Sequence, residues 1–119
     1  MATVLVVDDL PLVRMLARRY LEPHGHRVIQ AANGREAIEA YKRHKPNAVL
    51  MDLVMPELDG MAALREIKTF DPKARVAMFT ADSEVDKVKG ALSLGAIDYV
   101  VKPFRPERLN EALMRLLEG

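Results

Sequence analysis

The sequence predicts an α/β fold, an open, doubly wound sheet of five parallel strands in the order 2-1-3-4-5 with five flanking helices. Three observations lead there. Short apolar runs recur along the chain, segments with apolar residues at helical spacing alternate with them, and the connections between are short. Strands apolar on both faces belong inside a sheet with helical layers on both sides, which is the parallel arrangement. Five strand–helix units within 119 residues are too few for a closed eight-fold barrel, so the sheet stays open.

The first strand is VLVV (4–7), and Pro11 suits the first turn of the helix after it, whose apolar face is Val13, Leu16, Ala17, Tyr20 and Leu21. Gly25 fits the end of that helix. The second strand is VIQAA (28–32); Asn33, with Glu36 three residues on, is a helix cap, and Ala37, Ile38 and Tyr41 form the second helix's inner face. Lys42, Arg43, His44 and Lys45 close that helix, where cations complement the dipole. AVLM (48–51) is the third strand, and Asp59 caps a helix carrying Met61, Leu64 and Ile67. VAMF (76–79) is the fourth; Ser83, followed by Asp86, caps a helix with Val85, Val88 and Leu92 inward, and Gly95 ends it. YVV (99–101) is the fifth, after which Pro106 opens a helix with Leu109, Leu113, Leu116 and Leu117 inward. Met15, Met51, Met55, Met61, Met78 and Met114 read as core fillers. The pattern runs from residue 3 to residue 117, so residues 1–119 are expected to form one domain.

Lys and Arg number 18 and Asp and Glu 17, so the net charge of +1 provides no overall field for nucleic acid or an anionic membrane. With no cysteine there is no disulfide frame, thiol nucleophile or thiolate metal site. The apolar run at 4–7 is far shorter than a signal-peptide core or a membrane span. A soluble cytoplasmic protein is expected. His24, His26 and His44 fall at the sheet's other edge, away from any cleft, and read as exposed loop residues.

The residue after each apolar run is polar: Asp8 and Asp9, Asn33, Asp52, Thr80 and Lys102. All sit at carboxyl ends of strands, the edge where open α/β sheets bind ligands. Neighbouring strands lie about 4.8 Å apart, so Asp8, Asp9 and Asp52 gather where the winding reverses between strands one and three. Such a cluster either stays partly protonated or is compensated by a cation. Oxygen-only ligands favour a hard ion such as Mg²⁺. A carboxylate, Asp52, beside such an ion, with Lys102 and the Thr80 hydroxyl to receive a tetrahedral anion, is what nucleophilic capture of a phosphoryl group requires.

The motifs VLVVDD (4–9), MDLVMPELDG (51–60), FTA (79–81) and VVKPF (100–104), in this order and each at a strand end, resemble the receiver domains of two-component response regulators over the whole chain. That resemblance implies the flavodoxin-like, CheY-like version of the fold. It makes Asp52 the phosphoacceptor, Asp8 and Asp9 the pair that positions Mg²⁺, and Val54 a donor of its backbone carbonyl to the metal. It makes Thr80 the switch hydroxyl, Lys102 the phosphoryl-binding lysine, Tyr99 the aromatic that follows the switch, and Lys102-Pro103 a cis peptide. Positions 54 and 82 tune hydrolysis in the family; apolar Val54 slows it and acidic Asp82 could orient a water. The implied donor is a phosphohistidine on a sensor histidine kinase or histidine phosphotransfer protein, and the implied output is a target protein on the face of helix four, strand five and helix five. The expected chemistry is self-phosphorylation and self-dephosphorylation rather than turnover of a separate substrate, with neither direct nucleic-acid binding nor membrane insertion.

Rival readings are weaker at specific residues. A haloacid-dehalogenase-type aspartate-nucleophile phosphatase wants an acid where Val54 stands, and a flavin binder wants a glycine-rich phosphate loop where the acidic DDLPL (8–12) stands. A degenerate receiver acting only as an interaction module would not need all five site residues. The same sequence suits a free-standing regulator or a receiver from a larger response regulator or kinase.

Overall fold

A computed structural model describes residues 1–56 and 58–118; Glu57, inside MDLVMPELDG, and Gly119 lie outside the described residues. The strands are β1 (Thr3–Val7), β2 (Arg27–Ala31), β3 (Ala48–Asp52), β4 (Val76–Ala81) and β5 (Asp98–Lys102). The helices are α1 (Pro11–Leu21), α2 (Gly34–His44), α3 (Gly60–Phe70), α4 (Val88–Ser93) and α5 (Pro106–Leu117). All strand pairs are parallel and the order is β2-β1-β3-β4-β5. The winding therefore reverses between β1 and β3.

Alternation along each strand divides the core into two layers. Leu5, Val7, Val49, Met51, Val76 and Met78 face Ala37, Ile38, Tyr41, Ala63, Leu64 and Ile67 of α2 and α3. Val4, Val6, Leu50, Ala77 and Phe79 face Ala17 and Leu21 of α1 and Leu109, Leu113 and Leu116 of α5. Burying each large apolar side chain contributes about 1.5–3 kcal/mol, and a one-residue slip of a central strand would turn every one of its side chains into the opposite layer. Phe79 stacks on Phe104 with ring centroids 5.0 Å apart, which packs the loop after β5 against the second layer.

Local signals act as their chemistry requires. The Asn33 side chain accepts from the Glu36 N–H at 2.9 Å while the Glu36 carboxylate accepts from the Ala32 N–H at 2.9 Å, and Asp59 accepts from the Ala62 N–H at 3.0 Å. Pro11 and Pro106 occupy first turns. Gly25 and Gly95 take φ of 88° and 106°, a region glycine enters without strain.

Ser83 is a correction: it caps no helix. β4 continues through Ala81 to pair with Lys102, so the turn begins at Asp82 and Ser83 falls inside a 3₁₀ segment, Asp82–Lys87. A cap needs extended backbone ahead of the helix, which Ser83 no longer has. α4 is accordingly only 6 residues long and begins at Val88. His26 is also not a free loop residue, since it is partly buried and its Nδ1 accepts from the Ala2 N–H at 3.2 Å. His44 is the last residue of α2. Met15 and Met114 lie on outward helix faces, 46% and 57% exposed, and fill no core. Among the described residues no helix is long and apolar enough to cross a membrane.

Candidate functional site

The register of the sheet assembles the site. Val7 pairs with Met51 across β1 and β3, so the next residues, Asp8 and Asp52, emerge side by side at the carboxyl rim. Carboxylate oxygens of Asp8, Asp9 and Asp52 lie within 4.8 Å of one another. From the far side of the sheet, β5 ends at Lys102, whose Nζ reaches Asp8 Oδ2 at 3.1 Å and Asp52 Oδ1 at 3.3 Å. The Lys102–Pro103 peptide is cis. One ammonium thus bridges two of three acids.

The loop after β1 is held in place from two sides. The Leu10 N–H donates to Asp8 Oδ1 at 3.0 Å, and Arg14 of α1 donates to the Asp8 backbone carbonyl at 2.6 Å and to Gln30 Oε1 at 3.2 Å. Arg14 therefore ties the tips of β1 and β2 to the first turns of α1. At β3, Gly60 packs its Cα against the backbone of Asp52 and Leu53, and its N–H donates to the Leu53 carbonyl at 3.0 Å. A side chain there would strike the Asp52 carbonyl oxygen. Only glycine allows this approach of α3 to the strand tip.

Burial and like charge set the electrostatics. Asp8 and Asp52 are 0% and 5% exposed. Burial pushes the Asp52 carboxyl up to about 6, the neighbouring Asp8 pushes it the same way, and Lys102 with the Val54 N–H pulls it back only in part. For Lys102, burial works against the charge, but Asp52 and Asp8 together outweigh it and hold the ammonium above its ordinary value. Two buried carboxylates facing one ammonium leave a surplus of negative charge. Donors that are all oxygen, close together and in surplus fit a hard divalent cation with room for waters and a phosphate oxygen.

A cleft of about 220 Å³ opens over these groups, lined by Asp9, Asp52, Val54, Thr80, Glu84 and Lys102. Thr80 sits at its floor, and its hydroxyl donates to the Ala81 carbonyl at 3.1 Å, directed along the strand rather than at Asp52. Val54 is exposed at the mouth. Asp82 is exposed and does not border the cleft among the described residues. Tyr99 is partly buried on β5, away from the acids, and lines a cavity of about 470 Å³ with Val85, Val88 and Leu92. Asn33 caps α2 and does not border the cleft among the described residues.

Sequence reasoning missed Arg14, Glu84 and Asp98. Asp98 is buried where β5 begins and meets Arg108 at 3.2 Å and Arg115 at 3.5 Å, while Arg108 also donates to the Tyr99 carbonyl at 2.6 Å. The only signal for it was the spacing of the two arginines, which places them on one face of α5.

The chain matches the family model of the response regulator receiver domain over residues 4–114. It is 43% identical over 115 residues to the chemotaxis protein CheY of Bacillus subtilis (strain 168), covering 96% of each chain. To the chemotaxis protein CheY of Thermotoga maritima it is 42% identical over 114 residues, covering 95% of each. Among solved structures, the receiver domain of NtrX from Brucella abortus superposes with a TM-score of 0.93 at 33% identity, covering 98% of each chain. With the sheet order and the acid–lysine rim already in place, these likenesses show that the chain belongs to the response regulator receiver domains, the CheY-type signalling modules of two-component systems.

Proposed function

We propose that this receiver takes a phosphoryl group onto Asp52 from a phosphohistidine of a sensor histidine kinase or histidine phosphotransfer protein in the cytoplasm. The observation that carries the reading is the cluster of Asp8, Asp9 and Asp52 within 4.8 Å, with Lys102 bridging Asp8 and Asp52 and a small cleft opening over the group. Asp8, Asp9 and Asp52, with the Val54 backbone carbonyl, would hold Mg²⁺. When bound, that ion neutralises charge on the phosphoryl oxygens. An Asp52 oxygen bonds to phosphorus, the P–N bond to the donor imidazole breaks, and its electron pair stays on nitrogen. Lys102 is near enough to Asp52 to exchange part of its contact for a phosphoryl oxygen.

The phosphorylated state is passed on through Thr80 and Tyr99. The Thr80 hydroxyl gives up the Ala81 carbonyl for a phosphoryl oxygen, and the Tyr99 ring moves into the space released. Tyr99 already borders α4, so its movement alters the α4–β5–α5 face on which a downstream target docks. A shift from 1:99 to 99:1 between two states of that face needs roughly 5.5 kcal/mol of differential binding. The test is incubation with acetyl phosphate and Mg²⁺ followed by intact mass. A gain of one phosphoryl group that is absent in Asp52→Asn and in EDTA is expected; no gain in wild type, or equal gain in Asp52→Asn, overturns the reading.

A further inference from the structure

Of the acidic residues after β4, Asp82 is the one that position in the motif marks for tuning hydrolysis, yet the fold turns it outward. Glu84, two residues on, lines the cleft with Asp52, Val54, Thr80 and Lys102. The 3₁₀ geometry of Asp82–Lys87 is the reason: with three residues per turn, one face of the segment looks into the cleft and Asp82 and Glu84 cannot share it. The same geometry stacks residues i and i+3, so Lys87 lies directly over Glu84 and its Nζ meets the carboxylate at 2.9 Å. Among the described residues that line the cleft with Glu84, Asp9 belongs with Asp8 and Asp52 to the carboxylate set that would hold Mg²⁺, and the others offer no base. Val54 is apolar, Thr80 is directed at the Ala81 carbonyl, and Lys102 is a cation already shared between Asp8 and Asp52.

We propose that Glu84, restrained by Lys87, sets the lifetime of the acyl phosphate by accepting the proton of the hydrolytic water. This rests on Asp52 being the phosphoacceptor. The oxygen of water bonds to phosphorus, the bond between phosphorus and the Asp52 oxygen breaks, and its electron pair returns to the carboxylate. The proton leaves the water for Glu84 and then for solvent, and inorganic phosphate is released. A fully positioned base is worth about 10²–10⁴-fold. Glu84 sits at a partly exposed rim where bulk water shares the task, so an effect of about fivefold is expected. Lys87 keeps the carboxylate to one side, and its removal frees Glu84 to meet the water more often.

The experiment uses the full chain, phosphorylated with acetyl phosphate and Mg²⁺, freed of donor by rapid desalting and followed by intact mass as the phosphoryl group is lost. Glu84→Gln should lengthen the half-life about fivefold, Asp82→Asn should leave it within a factor of about 1.5, and Lys87→Ala should shorten it by about twofold to threefold. The double variant Glu84→Gln/Lys87→Ala should match Glu84→Gln alone, which a loosened segment without a specific base would not produce. Equal half-lives for wild type and Glu84→Gln, a dominant effect of Asp82→Asn, or a Lys87→Ala effect that survives without Glu84 would each overturn the assignment. Absence of any phosphoryl gain in wild type instead defeats the phosphoacceptor reading, and the role of Glu84 falls with it.

Discussion

Replacing Asp52 by asparagine should stabilise the metal-free protein at neutral pH while abolishing phosphorylation. The Asp52 carboxyl is pushed up to about 6 from an ordinary 3.8, chiefly by burial and then by Asp8. At about 1.36 kcal/mol per pH unit, keeping it ionised above pH 6 costs the native state about 3 kcal/mol. Between 3.8 and about 6 the native state holds the proton more tightly than the unfolded chain. The contribution of Asp52 to wild-type stability therefore falls as pH rises through that window and levels off above it. Asparagine stands in for the protonated acid, and Lys102 keeps its 3.1 Å contact to Asp8. Allowing for a weaker contact to Lys102, the expected gain is about 2 kcal/mol at about pH 8, shrinking to nothing near pH 4. Urea denaturation in EDTA across this pH range measures it, and added Mg²⁺ should raise wild type more than the variant. An Asp52→Asn variant no more stable than wild type at pH 8, or equally advantaged at pH 4, would refute the account of charge crowding.

Other perturbations probe separate links. Lys102→Met removes the ammonium shared by Asp8 and Asp52, so the Asp52 carboxyl should titrate above about 6 in a carbon-detected NMR titration, and stability at neutral pH should drop by about 3 kcal/mol. Two glycine substitutions separate sterics from backbone strain. Gly60→Ala drives a methyl into the Asp52 carbonyl and should cost about 3 kcal/mol, whereas Gly25→Ala meets nothing within 4 Å and should cost about 1 kcal/mol through its φ of 88° alone; thermal melts compare them. Tyr41→Phe deletes the 2.6 Å hydrogen bond to Asp71 that ties α2 to the loop after α3, for an expected loss of about 1–2 kcal/mol by urea denaturation.

The strand tips were legible because a charge that ends a wholly apolar run can point nowhere but the rim. Asp8, Asp52 and Lys102 announced themselves in this way, and strand order then dictated their meeting. Proline and glycine were equally informative at Pro11, Pro106, Gly25 and Gly95, since each permits few backbone conformations. Ser83 was misjudged because a serine followed by an acid three residues on carries the same capping pattern whether the preceding strand ends at residue 79 or 81. Pairing of Ala81 with Lys102 decided that, and it is a contact across the sheet.

Local chemistry in the chain determines the alternation of elements, the apolar faces and the set of acids and cation available at the rim, because propensity, periodicity and capping act within a few residues of each other. Tertiary structure alone decides which acid after β4 faces the cleft, that Arg14 anchors the Asp8 carbonyl and that Asp98 is neutralised by two arginines of α5. Those pairings join residues whose separation in sequence carries no periodic signal, and their energies come from burial and charge proximity that exist only once the sheet and its two helical layers have closed around them.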